Sequence, residues 1–192
     1  LELNRVDDVS IDVGIFTNLT RDHLDFHKTM ENYFQAKKKL FYLTKKNNIV
    51  NVDDSYGERL YKELKQEGIN ATSVGTGKEA DIMASDLITT INGTDFDLTV
   101  NGTVRKAHVN TPGKFSVLNS LGVIGAAYAM GADIDDIIKA LGKIKGVSGR
   151  FQILENKLGC TIILDFAHTP DGLQKVMDTI NEFAEGRKIV MF

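Results

Sequence analysis

The sequence predicts an α/β fold: a mostly parallel sheet flanked by helices, with a small antiparallel excursion. Three observations carry this. Short apolar runs alternate with helical patterns up to about Val74, giving the order β-α-β-α-β. From about Ala80 to Pro112 apolar and polar residues alternate, and Asn92-Gly93 and Asn101-Gly102 mark hairpin turns. Helical patterns then return, the last preceded by a second strand and an acid.

Each element follows from its residues. Asp12 to Asn18 is a short apolar run that reads as a buried strand. A helical pattern spans about Thr29 to Lys45. Asn48 to Val52 is the second strand, and Asp54-Ser55 caps a helix that reaches about Gln66 and ends at Gly68. Ala71 to Val74 is the third strand. The alternating segment 80–112 is read as a small antiparallel sheet laid on the parallel core. Pro112-Gly113 ends it, and helices follow at Lys114 to Met130 and Asp133 to Leu141. Phe151 to Leu154 and Cys160 to Leu164 form a hairpin. Thr169-Pro170 starts a helix of about fifteen residues, and Lys188 to Phe192 has the pattern of a final buried strand.

Composition bounds the function. The chain has 192 residues, 42% hydrophobic and 26% charged, as in an ordinary globular protein. A net charge of −3 disfavours a strongly basic nucleic-acid binder. The single Cys160 allows no disulfide within the chain and fits a reducing compartment. No apolar run reaches the roughly 18–20 residues of a membrane span. The expected location is cytoplasmic. The sequence starts at Leu1 without Met and stops on a strand pattern, so a piece of a longer protein is expected.

One lysine stands in an apolar stripe. At about 100° per residue from Met30, the stripe of Tyr33, Phe34, Leu40 and Phe41 is centred near roughly 340°. Lys37 falls in its middle, Lys38 at its edge and Lys39 on the opposite face. Lys38 and Lys39 are therefore expected in solvent and Lys37 pointing inward. An inward lysine either snorkels or pairs, or it is a functional group whose desolvated, neutral amine is a nucleophile.

Two strand-end loops carry reactive groups at the edge where open α/β sheets bind ligands. After the first strand, Thr17 to His27 holds Asp22, His23, Asp25 and His27, which suit Mg²⁺ or Mn²⁺ near phosphate, or simply a capped connecting loop. After the later strand, Asp165 is placed to meet ribose hydroxyls. Asn119, inside the apolar helix, is either an amide that reads adenine or a satisfied core residue. Gly75-Thr76-Gly77-Lys78-Glu79 is not a phosphate loop, because Glu79 replaces the required Ser/Thr and Thr72 the first glycine.

The ordered set Thr17-Asn18-Leu19-Thr20-Arg21-Asp22-His23-Leu24-Asp25, Tyr33-Phe34-Gln35-Ala36-Lys37, Gly149-Arg150-Phe151 and Asp165 to Asp171 resembles the central domain of the Mur ligases. The resemblance spans nearly the whole chain and implies a P-loop-type central ATPase fold that here lacks its phosphate loop. It implies an ATP- and Mg²⁺-dependent ligase of peptidoglycan synthesis. Such an enzyme turns a carboxylate into an acyl phosphate that an amine then attacks. The nearest branch adds the third amino acid, meso-diaminopimelate or L-lysine, to UDP-N-acetylmuramoyl-L-Ala-D-Glu.

By position, the resemblance makes Lys37 the lysine that becomes a carbamate and His23 its companion at the metal. It puts Asn119, Arg150, Asp165 and His168 at the nucleotide and Arg5 at the muramoyl-peptide. The chain departs from the family pattern at Ser116, where asparagine is usual, at Phe166, where tyrosine is common, and at Leu3. The expected partners are the missing N- and C-terminal domains of the same protein, and the 192 residues alone are expected to be inactive. Two other readings are a related ligase, such as a folylpolyglutamate synthase or a Mur-like amidating enzyme, and a non-catalytic nucleotide-binding module.

Overall fold

A computed structural model describes residues 1, 6, 8–21, 24–77 and 79–191. The expected alternation is present. Strand β1 (Ile11–Phe16) leads through a short helix α1 (Leu24–His27) and α2 (Met30–Lys38) to β2 (Thr44–Asn51). Helix α3 (Ser55–Gln66) then connects to β3 (Ala71–Gly75). β1, β2 and β3 pair in parallel. Capping fixes the helix starts. Thr29 accepts the Asn32 amide before α2, and Asp54 accepts the Gly57 amide before α3.

The helical pattern read as far as Lys45 stops earlier. A 3₁₀ turn over Lys39–Tyr42 ends it, and β2 already begins at Thr44. The reason is local pairing: Thr44 lies beside Ile11, so the sheet ladder takes up the polar Thr44-Lys45-Lys46 that periodicity assigned to the helix.

β4 (Ile82–Thr90), β5 (Gly93–Val100) and β6 (Thr103–Val109) form the antiparallel part. They are not laid on the parallel core. β4 pairs in parallel with the last two residues of β3, Val74 and Gly75, so all six strands make one sheet in the order β1-β2-β3-β4-β5-β6. That two-residue overlap lets a short connection suffice. It also carries the antiparallel strands past the C-terminal ends of the parallel ones. Positive φ at both Asn101 and Gly102 identifies the primed turn that Asn-Gly favours.

Helix α4 (Lys114–Ala129) covers one face of the sheet and packs against β1 to β4 and α5 (Ile134–Leu141). Successive β2 residues divide the core: Ile49 faces α4 with Val117, Leu121 and Ile124, while Val50 faces α2 and α3 with Phe34, Phe41, Leu60 and Leu64. Gly125 lets α4 approach closely, since a Cβ there would lie 2.8 Å from Ile49 Cγ2.

The hairpin of β7 (Gln152–Leu154) and β8 (Ile162–Leu164) is a separate two-stranded sheet, followed by α6 (Pro170–Phe183) with Thr169 as its cap. The final strand expected at Lys188 to Phe192 is not formed over its described residues. Lys188 to Met191 has no ladder partner and its apolar side chains are exposed; apolar pattern alone does not make a strand without one.

Candidate functional site

The end of β2 ties together the loops at the C-terminal edge of the parallel strands. Asn51, buried, donates from its amide nitrogen to Thr17 O at 2.7 Å and accepts the Asp53 amide at 3.0 Å. Asp54 accepts the Leu19 amide at 3.3 Å. Asp53 accepts the Thr76 amide and hydroxyl and the Gly77 amide, and Lys114 Nζ lies 3.6 Å from its Oδ2. Burial opposes the Asp53 anion. The Thr76 hydroxyl, the two amides and Lys114 outweigh that and hold its carboxyl below the usual aspartate range. The loop that mimics a phosphate-loop sequence thus has its amides filled by an internal carboxylate.

The loop after β1 starts from this clamp. Arg5 and His23 lie outside the described residues, as does Asp22. Asp25 and His27 lie on α1. His27 stacks on Tyr33, with ring centroids 4.6 Å apart, and Lys37 Nζ lies 5.2 Å from the centroid of the Tyr33 ring. Lys37 is half-buried. Among the described residues no three His, Cys, Asp or Glu side chains gather where a metal could be held.

Lys38 corrects the wheel. Expected in solvent, its side chain is only 16% exposed and pairs with Glu63 of α3 at 2.7 Å. Desolvation works against its charge. The Glu63 carboxylate and the Tyr42 hydroxyl more than offset this, so its ammonium is held above the ordinary lysine range. Arg59 extends the tie: it pairs with Glu63 and grips Glu31 with both terminal nitrogens. The packing of α2 on α3 covers the Lys38 edge, which a wheel for an isolated helix does not contain. Lys39 is exposed as expected.

Four of the sequence-selected residues meet. Asn119, Arg150, Asp165 and His168 line one cavity of about 580 Å³ between α4, the loop before β7 and the β8–α6 connection. Asn119 is exposed on the cavity side of α4, so the core reading of this amide does not hold. The Arg150 guanidinium lies over the Phe166 ring at 4.7 Å, and His168 meets the same ring edge-on. His168 Nδ1 is 3.0 Å from Phe166 O.

Asp165 is held by two backbone amides, Phe151 at 2.7 Å on Oδ2 and Ala167 at 2.7 Å on Oδ1. A carboxylate has about four acceptor positions, so each oxygen keeps one for a ligand. Lys37 does not line this cavity.

The donor set fits a nucleoside polyphosphate. Phe115, Val123 and Val147 give apolar lining, Asn119 a paired donor and acceptor, Asp165 an acceptor for hydroxyls and Arg150 a cation. Sequence reading missed Phe115, Lys175 and the Asp53 clamp. In the sequence Asp53 directly follows the apolar run 48–52, the same layout that singled out Asp165, and that signal was available. Phe115 and Lys175 look like ordinary helix residues and carry no such mark.

Known proteins share this sequence and fold. The Mur ligase middle domain matches residues 1–127, and the Mur ligase glutamate ligase domain matches residues 149–192. A UDP-N-acetylmuramoyl-L-alanyl-D-glutamate--2,6-diaminopimelate ligase of Alkaliphilus oremlandii is 43% identical over 192 residues, covering 100% of this chain. A protein of the same name from Clostridioides difficile is 42% identical, again over 100% of the chain. The chain spans 39% and 40% of the length of these two relatives.

A solved structure bearing that ligase name superposes with a TM-score of 0.80 at 27% identity, covering 95% of this chain and 38% of its own. A MurF ligase from Thermotoga maritima in complex with ADP shares the fold, with a TM-score of 0.75 at 21% identity over 92% of this chain and 40% of its own. No described helix is long and apolar enough to cross a membrane. With one family domain matched over residues 1–127 and a second over 149–192, the chain belongs to the Mur ligase family.

Proposed function

We propose that this chain is the central part of an ATP- and Mg²⁺-dependent carboxylate–amine ligase that acts in the cytoplasm. It adds the third amino acid to UDP-N-acetylmuramoyl-L-Ala-D-Glu in peptidoglycan synthesis. The observation that carries the reading is the single cavity lined by Asn119, Arg150, Asp165 and His168. The names of the relatives favour 2,6-diaminopimelate over L-lysine as the amino acid.

In this reading the cavity holds the nucleotide. Asn119 meets the base, Asp165 the ribose and Arg150 the phosphate side, while His168 borders them. His23 and Lys37, the latter as a carbamate, would hold Mg²⁺, whose charge would offset that of the phosphates. Lys37 serves this task from its half-buried place on α2, beside the Tyr33 ring. Arg5 contacts the muramoyl-peptide. In the full-length protein, the part of the central domain that precedes this segment supplies the phosphate loop, and the domain that follows supplies the amino-acid site.

The test uses the full-length protein with ATP, Mg²⁺ and UDP-N-acetylmuramoyl-L-Ala-D-Glu, offered meso-diaminopimelate or L-lysine separately. ADP release together with a tripeptide product mass is expected, with diaminopimelate as the amino acid. No product from folded protein that still binds ATP would favour a related ligase. The 192 residues alone are expected to release no ADP.

A further inference from the structure

α6 is amphipathic, with Leu173, Val176, Met177, Ile180 and Phe183 along it, yet its one buried residue is polar: Thr179, 3% exposed. Thr179 sits against Gly113, the residue that starts α4. A Cβ at Gly113 would collide with Thr179 Oγ1 and lie 2.6 Å from its Cγ2. Gly113 has φ of 98°, a conformation that favours glycine, and its amide donates to the buried Thr94 hydroxyl at 2.9 Å. Thr94, Gly113 and Thr179 therefore stack β5, the start of α4 and α6 with no spare space.

This contact joins the two family segments, since Gly113 lies within 1–127 and Thr179 within 149–192. Both segments contribute to the cavity walls. Phe115 and Asn119 stand within two turns of Gly113 on α4. Asp165, His168 and Lys175 belong to the stretch that α6 carries, and Lys175 is one turn before Thr179. We propose that Thr179 is a positioning residue: seated on Gly113, it sets the separation of the two cavity walls and thereby the affinity for nucleotide. The inference rests on the reading of that cavity as a nucleotide site. Bulk added at a close-packed seat forces the backbone to shift, and a site loosened by about 1 Å loses its complementarity.

The experiment compares Thr179→Val, Thr179→Ile and Thr179→Leu in the full-length protein. ADP affinity is read by calorimetry, folding by thermal melting, and KM for ATP and for the amino acid by steady-state kinetics. Thr179→Val keeps the shape and is expected to bind ADP within twofold of wild type. Thr179→Leu is expected to weaken ADP binding at least tenfold and raise KM for ATP in step, with KM for the amino acid unchanged. Thr179→Ile, which adds one methylene to the valine shape, reads the same seat with a threefold or greater loss should the leucine variant not fold.

Folded leucine or isoleucine variants that bind ADP like wild type would overturn the proposal. So would a valine variant as weak as the leucine one, because the hydroxyl and not the seat would then matter. Wild-type protein that binds no ADP would instead overturn the nucleotide reading, and this inference with it.

Discussion

Asp53 binds Thr76 twice through one carboxylate oxygen, taking its amide at 2.9 Å and its hydroxyl at 2.6 Å. An internal anion thus occupies the turn that a phosphate would occupy in a true phosphate loop. The Asp53 side chain is 11% exposed, so water cannot easily replace it. Asp53→Ala strands the Thr76 and Gly77 amides and leaves Lys114 without this partner. It is expected to cost about 2–4 kcal/mol, since charged hydrogen bonds are worth more than neutral ones and their orphaned donors must be desolvated. Asp53→Asn keeps an acceptor oxygen and should cost less. Urea denaturation of the two variants measures the difference, and equal stability of Asp53→Ala and wild type would contradict this account.

Acid should weaken the fold through identified carboxylates. Hydrogen bonds from Arg59, then from Gln35, lower the Glu31 pKa to about 2, and Asp53 is lowered by its partners against the cost of burial. Both folded values lie below the unfolded ones. Their stabilisation is therefore complete above the unfolded pKa of roughly 4 and is lost as pH falls from there toward 2. The melting temperature should hold between neutral pH and about pH 5 and fall below roughly pH 4.5. In Glu31→Gln or Asp53→Asn the acid limb should be shallower than in wild type, as scanning calorimetry across the pH series would read.

Adjacent lysines should separate stability from chemistry. Lys38→Met leaves Glu63 facing α2 without its ammonium and is expected to destabilise by about 1–3 kcal/mol, because a mostly enclosed pair loses one charge. Lys37→Ala, at a half-buried position, should leave the fold standing yet abolish ligase turnover in the full-length protein. A ¹³C carbamate signal from labelled CO₂ should be present in wild type and Lys38→Met and absent in Lys37→Ala. Full turnover in Lys37→Ala would overturn the carbamate role assigned to Lys37.

What the sequence made legible was local. Alternation, Asn-Gly turns and the caps at Asp54 and Thr169 placed the elements, because each depends on residues a few positions apart. The single sheet was not legible, since the Val74–Ile82 pairing depends on where two strand ends meet in space. The Lys38–Glu63 pair was missed for the same reason: it joins residues on two different helices, beyond any wheel. Asn119, Arg150, Asp165 and His168 were legible one at a time through family motifs. Their convergence on one cavity is a product of the packing of α4 against the β8–α6 connection.

Asp165 should show two roles in one substitution series. Its carboxylate holds the Phe151 amide, and Phe151 sits at φ of 43°, a left-handed conformation that a bulky residue adopts only when its surroundings impose it. It also holds Ala167, one residue before His168. Removing the carboxylate therefore releases the chain beside Arg150 and beside His168 together, as well as deleting the acceptor proposed for ribose. Asp165→Ala is expected to lower stability by about 2 kcal/mol through the two orphaned amides and to weaken ADP binding by more than tenfold in the full-length protein. Asp165→Asn keeps one acceptor oxygen and loses the charge, so it should recover part of the stability while leaving ADP binding weak. Calorimetric titration with melting of the same samples separates the two effects. If ADP affinity follows stability across the series, Asp165 acts only as a brace; if Asp165→Asn is stable but binds poorly, the carboxylate itself meets the nucleotide.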